Sequence, residues 1–279
     1  MPPSSLAQYI HANIAAALEE DVGSGDLTAQ LIPEHAQAQA VVITRQRMVL
    51  CGTSWFDGCF HALDTNCKIH WLISEGDQTA PNQTLCEISG NARALLTAER
   101  TALNFLQTLS ATATATRHYV DAVAGTKAKI MDTRKTLPGL RVAQKYAVTV
   151  GGGHYQRIGL FDGILIKENH IMAAGGIRAA LEAAYRLAPP DATTQVEVET
   201  LEQLREALDA GAKLILLDNF DLEEMRAAVI FTAGRAELEA SGGVNLQTVR
   251  AIAETGVDRI SIGSLTKDVQ AVDLSMRFT

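Results

Sequence analysis

AKLILLDNFDLEEMRAAVIFTAGRAELEASGG (212–243) carries two textures in alternation. Residues 212–219 and 236–242 are short apolar runs of strand length, and 221–233 between them reads as an amphipathic helix. The same alternation extends in both directions. Further strands are expected at 128–133, 161–167, 194–199 and 258–263, and helices at 140–150, 171–187, 201–210 and 245–255. Leu201, Leu204 and Leu208 show the helical spacing. Apolar strands separated by helices predict a parallel sheet covered on both faces. Six strand–helix units in about 150 residues fit a β/α barrel, possibly an incomplete one. A doubly wound sheet stays open as an alternative, although no GxGxxG follows a strand.

Each apolar run finishes in polar groups: Asp132-Thr133-Arg134-Lys135, Lys167-Glu168-Asn169, Glu197 with Glu199, Asp218-Asn219, Ser241-Gly242-Gly243 and Gly263-Ser264. In a parallel barrel these ends converge on the rim where barrel enzymes place their chemistry. Arginines there can grip carboxylates or phosphates through paired hydrogen bonds. SGGVN (241–245) and SIGSL (261–265) each lead into a helix, so their backbone N–H groups suit a phosphate. Glu197 and Asp218 could hold sugar hydroxyls, help bind Mg²⁺, or steady a developing positive charge.

Charge supports an anionic small molecule. The 279-residue chain has net charge −8, yet residues 127–167 hold eight Lys and Arg against Asp132 and Asp162, a local +6 that leaves −14 for the remainder. A positive island in an acidic protein suits a small polyanion, and the acidic total argues against nucleic-acid coating. Lys127, Lys129 and Lys145 taken singly are expected on solvated faces. No apolar run approaches a membrane span, and no basic-then-apolar leader is read at the start, so a cytoplasmic location is expected. Cys51, Cys59, Cys67 and Cys86 show no CxxC spacing and read as reduced, partly buried thiols.

Residues 1–112 differ in texture. A helix is expected over 5–20, followed by the glycine-rich EDVGSGDLT (20–28), then strands of a mixed sheet at 39–50, 67–74 and 83–88. A long helix over 91–118 carries Arg100 and Asn104 at i,i+4 on one face. An arginine in so apolar a helix is more often a structural ion-pair partner.

TRKTLPGLR (133–141), KYAVTVGGG (145–153), LIKENH (165–170), LLDN (216–219), EASGG (239–243) and ERTALNFLQ (99–107), in this order apart from the last, together resemble the quinolinate phosphoribosyltransferase family. The resemblance runs from EDVGSGDLT to the tail at 265–277. It implies an N-terminal α/β sandwich over 1–112, an incomplete seven-stranded β/α barrel over 113–268, and a C-terminal tail over 269–279 that packs back on the first domain. It implies transfer of a phosphoribosyl group from 5-phosphoribosyl-1-pyrophosphate to quinolinate, with decarboxylation, in NAD synthesis. It also implies Mg²⁺ shared between the pyrophosphate and Glu197 and Asp218, and a homodimer or hexamer in which Arg100 reaches a neighbouring subunit's site. Motif by motif, the substrate contacts would be Thr133, Arg134, Lys135, Gln156, Arg157, Lys167, Glu197, Asp218, Ser241, Gly242, Gly243 and Gly263. Lys135, Glu197 and Asp218 would be the catalytic groups.

The chain departs from the family pattern in three places. GGGxNHR is GGGHYQR (151–157), so Gln156 replaces a histidine and cannot be charged. LTHS is LTKD (265–268), with Lys267 at the histidine position, and LSGxAT is LSATAT (109–114). Three other readings stay open: a barrel enzyme using Lys167 as a Schiff-base amine, a transferase acting on another base, and a catalytically silent paralogue that binds an anion.

Overall fold

A computed structural model describes residues 3–279. In chain order the first elements are α1 (Pro3–Val22), β1 (Gln37–Thr44), α2 (Thr53–Leu63), β2 (Lys68–Trp71), β3 (Thr84–Asn91) and α3 (Ala92–Ala122). Then come β4 (Lys129–Met131), α4 (Arg141–Val150), β5 (Gly163–Ile166), α5 (Glu168–Ala174), α6 (Ile177–Leu187) and β6 (Thr193–Val198). The last are α7 (Leu201–Asp209), β7 (Leu214–Asp218), α8 (Leu222–Thr232), β8 (Glu237–Ser241), α9 (Val249–Glu254), β9 (Arg259–Ser261), α10 (Ser264–Lys267) and β10 (Leu274–Phe278). They fall into two compact units: residues 1–117, 137–152 and 266–279, and residues 118–136 with 153–265.

The first unit holds a four-stranded sheet in the order β10-β1-β3-β2. Every adjacent pair is antiparallel, where a mixed sheet was expected. The reason is topological. β1 and β2 run in the same direction and are joined through α2, but β3 lies between them and opposes both. β1 also stops at Thr44, short of the expected 39–50, because the Thr44 hydroxyl turns the chain by donating to the Gln46 carbonyl at 2.8 Å. Trp55, Phe56 and Phe60 of α2 are fully buried with Leu85, Leu95, Leu103 and Leu106. Phe56 meets Phe60 at 4.9 Å and Trp71 at 5.3 Å between ring centroids. Burying one such aromatic side chain stabilises a fold by roughly 2–3 kcal/mol. All four cysteines are free and buried here, and burial pushes the Cys59 thiol up to about 12, so they pack as apolar groups. Lys145, expected on a solvated face, is only 2% exposed, because α4 also buries Val142, Ala143, Gln144, Ala147 and Val148.

The second unit is a six-stranded parallel sheet in the order β4-β9-β8-β7-β6-β5. A single parallel bridge sets His154 beside Met131, adding a seventh strand position outside β4. Among the described residues nothing pairs that edge with β5, so the ring is open. The apolar core of β7, Ile215 to Leu217, is buried, as a strand covered on both faces requires. α8 starts cleanly because the Asp221 carboxylate accepts from the N–H groups of Glu223 and Glu224, while Glu224 accepts from the Asp221 N–H, a reciprocal cap.

Three expected elements shift for local reasons. The helix expected over 171–187 is two helices, since Gly175 and Gly176 adopt φ +89° and +127° and break it. Residues 161–162 leave the strand because the Asp162 carboxylate clamps a turn, accepting from the Ile158 and Gly159 N–H groups. The helix expected from 245 starts at Val249, after Asn245 Oδ1 accepts from the N–H groups of Gln247 and Thr248.

Candidate active site

Because the six strands of the second unit run parallel, their carboxy-terminal ends share one rim. Thr133, Arg134 and Lys135 follow β4, Lys167 follows β5, and Glu197 lies near the end of β6. Asp218 ends β7, Ser241 ends β8 with Gly242 and Gly243 beyond it, and Gly263 follows β9. Sheet register sets their facing. Glu197 pairs with Leu216, and Leu216 with Glu239, so these three share a face. Asp218 and Ser241 pair with each other one layer nearer the rim, on that same face.

Lys135 lies against a glycine of the rim, and Arg134 is near enough to Arg157 to act on its charge. A Cβ built on Gly263 would meet Lys135 Cδ at 3.0 Å and Thr133 Oγ1 at 3.7 Å, so the Lys135 side chain lies along the Gly263 backbone. Thr133 Oγ1 accepts from the Lys135 N–H at 3.1 Å, which fixes that turn. Arg157 donates to the Gly163 carbonyl at 3.0 Å. Burial, and then the neighbouring charge of Arg134, pulls its pKa below the usual arginine range. Two guanidiniums near enough to repel are a poor device for stability and a good one for holding an anion. Lys167 Nζ forms an ion pair with Glu197 Oε2 at 3.1 Å, and Glu197 is 8% exposed. The carboxylate engages this ammonium, which weighs against the Schiff-base reading.

The glycine loop after β8 is built around a close approach. Gly242 has φ +105°, and a Cβ there would meet Asn219 Oδ1 at 2.1 Å. Asn219, itself at φ +56°, donates its N–H to the Ser241 carbonyl at 2.9 Å and its side-chain amide to Asp218 Oδ2 at 2.9 Å. Gly243, at φ +60°, has open space around its Cβ position. The loop therefore leaves backbone beside Asp218 uncovered, as phosphate binding by N–H groups requires.

One layer below lies a polar floor that the sequence reasoning missed. Glu239 is fully buried, and its carboxylate accepts from Ser261 Oγ at 2.7 Å, Gln195 Nε2 at 3.1 Å and the side-chain amide of Gln156. Burial raises its pKa, while the three hydrogen bonds and Arg259 act in the opposite sense. The Gln156 N–H also binds Asp132 Oδ1 at 2.9 Å, so the glutamine is held at both backbone and side chain. The available signal was polar residues at i,i+2 in apolar strands: Gln195 with Glu197, and Glu239 with Ser241.

Not every expected residue joins this rim. Lys127 pairs with Asp258 at 2.7 Å at the opposite, amino-terminal end of the strands. Arg100, Arg141, Lys145 and Lys267 belong to the first unit. Arg100 is exposed on α3 and makes no ion pair among the described residues, contrary to the structural role expected of it. Among the described residues no three His, Cys, Asp or Glu side chains gather to hold a metal. Glu197 and Asp218 at the strand ends would suit a metal carried largely by a substrate's phosphates and water rather than by a protein cage.

Comparison with known proteins agrees with this architecture. Residues 26–110 match the family model "Quinolinate phosphoribosyl transferase, N-terminal domain", and residues 112–277 match the corresponding C-terminal domain. A "probable nicotinate-nucleotide pyrophosphorylase [carboxylating]" of Bacillus subtilis is 42% identical over 93% of this chain and 90% of its own. A mitochondrial "quinolinate phosphoribosyltransferase [decarboxylating] 2b" of Nicotiana tabacum is 36% identical over 99% of this chain and 84% of its own. The solved nicotinate-nucleotide pyrophosphorylase from Francisella tularensis superposes with a TM-score of 0.94 at 44% identity, covering 98% of this chain and 96% of that one. With both domain models matched across nearly its whole length, the chain belongs to the quinolinate phosphoribosyltransferase family.

Proposed function

We propose that this protein transfers the phosphoribosyl group of 5-phosphoribosyl-1-pyrophosphate to quinolinate and decarboxylates the product, giving nicotinate mononucleotide, CO₂ and pyrophosphate for NAD synthesis. The observation that carries this reading is the shared rim. In this reading Arg134, Lys135, Arg157 and Lys167 supply positive charge for a dicarboxylate and a phosphorylated sugar, supported by the Lys167–Glu197 pair, the nearness of Arg134 to Arg157 and Lys135 laid along Gly263.

Arg134, Lys135 and Arg157 hold the two quinolinate carboxylates, and Thr133 and Gly263 shape the wall behind Lys135. Ser241, Gly242 and Gly243 take the sugar phosphate on their N–H groups, and Lys167 neutralises phosphate charge from across the rim. Holding two anions together is the main obstacle, so the cations act chiefly by positioning and charge cancellation. The ring-nitrogen lone pair of quinolinate bonds to the ribose C1 as the C1–oxygen bond breaks, its electron pair leaving with pyrophosphate. Glu197 and Asp218 stabilise the positive charge that grows on the sugar. The bond from the ring to the carboxylate beside the now cationic nitrogen then breaks. Its electron pair passes to the ring carbon, which takes a proton from water. Mg²⁺, when held by Glu197, Asp218 and the pyrophosphate, supplies charge neutralisation to the leaving group.

The protein works in this reading as a cytoplasmic homodimer or hexamer, with Arg100 reaching a neighbouring subunit's site. Its support is that Arg100 is exposed and without an ion pair among the described residues, and that no helix there is long and apolar enough to cross a membrane. Gln156, tied to Glu239, serves as a neutral hydrogen-bonding wall for quinolinate.

The test is direct. The purified protein is incubated with quinolinate, 5-phosphoribosyl-1-pyrophosphate and Mg²⁺, and CO₂ and nicotinate mononucleotide are followed. Equal yields of both are expected. Quinolinate binding without either product identifies the silent paralogue, and pyrophosphate release with another base in place of quinolinate identifies the alternative transferase.

A further inference from the structure

Within the second unit the segment from His154 to Gln156 runs along the edge of β4 that faces away from β9. Its backbone pairing is brief. The His154 N–H donates to the Ile130 carbonyl at 2.8 Å, and the Asp132 N–H donates to the His154 carbonyl at 3.0 Å. The Gln156 N–H then turns to Asp132 Oδ1 at 2.9 Å, where a strand would bond a backbone carbonyl. An edge held by so few ladder bonds opens locally unless something else fixes it. The stake is Arg157, which follows directly in the chain and whose guanidinium reaches the Gly163 carbonyl at 3.0 Å.

Glu239 supplies a further anchor. Its fully buried carboxylate accepts from Ser261 Oγ at 2.7 Å, Gln195 Nε2 at 3.1 Å and the Gln156 amide. Gln195 and Ser261 lie in β6 and β9, whose ladders already fix them opposite Leu165 and Met131. Gln156 stands past the single bridge at His154, so the carboxylate gives it a fixed point that no ladder provides.

The separation of the partners makes this contact informative. In a flat sheet Gln156 would stand three strand spacings from β8, roughly 14 Å, more than the two side chains can span. The contact forms because the sheet curls, and a desolvated carboxylate with donors arriving from both sides holds the open edge inward.

We propose that Glu239 is a positioning residue for quinolinate, holding the Gln156 side chain and, through it, the adjoining Arg157 where the dicarboxylate binds. The inference rests on the function proposed above and adds to it a residue too deeply buried to touch substrate.

Steady-state kinetics and amide exchange on the full chain test it together. Glu239→Met keeps the side-chain length and removes both acceptor oxygens. The KM for quinolinate should rise at least fivefold, with kcat and the KM for 5-phosphoribosyl-1-pyrophosphate each within twofold. Gln156→Asn leaves the core untouched, keeps the amide and falls one methylene short of Glu239, and it should raise the quinolinate KM by a similar factor. If Glu239→Met fails to fold, this variant carries the test. In the Gln156→Asn background Glu239→Met should change that KM less than twofold, because the carboxylate then has no amide to position. Hydrogen exchange gives a readout independent of turnover. The Gln156 amide should exchange at least fivefold faster in Glu239→Met, while Ile215 to Leu217 of β7 keep their protection. Equal rises in both KM values, additive effects in the double variant, or unchanged exchange at Gln156 overturn the proposal and leave Glu239 a packing group. An unaltered protein that makes no nicotinate mononucleotide overturns the function reading instead, and exchange at Gln156 then decides whether Glu239 holds this edge.

Discussion

The two ends of the parallel sheet are built from the same six strands and place charge differently. At the amino-terminal end cations meet carboxylates directly: Lys127 with Asp258 at 2.7 Å, and Arg259 with Glu237. At the carboxy-terminal end Lys167 pairs with Glu197, but burial and then the charge of Arg134 depress the Arg157 pKa, Lys135 is laid against glycine backbone, and a carboxylate is buried one layer below. The first arrangement costs little and does little, since exposed ion pairs contribute about 0–1 kcal/mol. The second sets one guanidinium, Arg134, near another, Arg157, and an anion between like charges relieves their repulsion.

The largest expected effect breaks that asymmetry at the rim. Arg134→Ala and Lys135→Ala should each lower kcat/KM for quinolinate at least about 100-fold, on the order of 3 kcal/mol for a lost charged contact. Lys127→Ala, at the other end, should leave kcat/KM within about twofold. Steady-state kinetics on the three variants decides this, and equal losses at both ends would end the distinction.

Next comes the glycine loop. Gly242→Ala puts a methyl group where Asn219 Oδ1 stands and strains a backbone at φ +105°. About 2 kcal/mol of stability should be lost in urea unfolding, with a fall in affinity for 5-phosphoribosyl-1-pyrophosphate. Gly243→Ala, with open space but also positive φ, should cost about 1 kcal/mol.

A subtler effect separates the buried floor from the exposed pairs. Burial raises the Glu239 pKa above its ordinary 4.5, so the folded protein binds this proton more tightly than the unfolded chain. The resulting penalty is absent below the unfolded value and grows as pH rises through it toward the folded value, then stays constant. The stability of Glu239→Gln relative to the unaltered protein should therefore improve as pH is raised from about 4. Chemical unfolding at several pH values reads the slope, and a slope of the opposite sign would mean that the three hydrogen bonds outweigh burial. The smallest expected change is Asp221→Ala, which removes the cap of α8 and should cost about 1 kcal/mol, seen as a lower Tm with kcat/KM unchanged.

Much of the rim could be read from the chain because it depends on local order. Each strand is a short apolar run, and the polar residues that follow must sit at its carboxy-terminal end. Arg134, Lys135, Lys167, Asp218 and Gly242 were found in this way. Glu239 was not, because its i,i+2 spacing with Ser241 marks a shared face and does not tell a buried acid from an exposed one. Only Ser261, Gln195 and Gln156, brought to it from two other strands and a loop, make it a satisfied floor. The stretch from Lys127 to Lys167 likewise holds residues of both units, an assignment that contacts distant in the chain decide.

The sequence by itself determined the alternation of strands and helices, the family, and which residues stand at strand ends, since periodicity, capping and turn chemistry act over a few residues. The order β10-β1-β3-β2, the open edge beside His154 and the buried Glu239 were decided by tertiary structure alone. Strand pairing, desolvation and hydrogen-bond satisfaction are properties of neighbours distant in the chain, and packing chooses those neighbours.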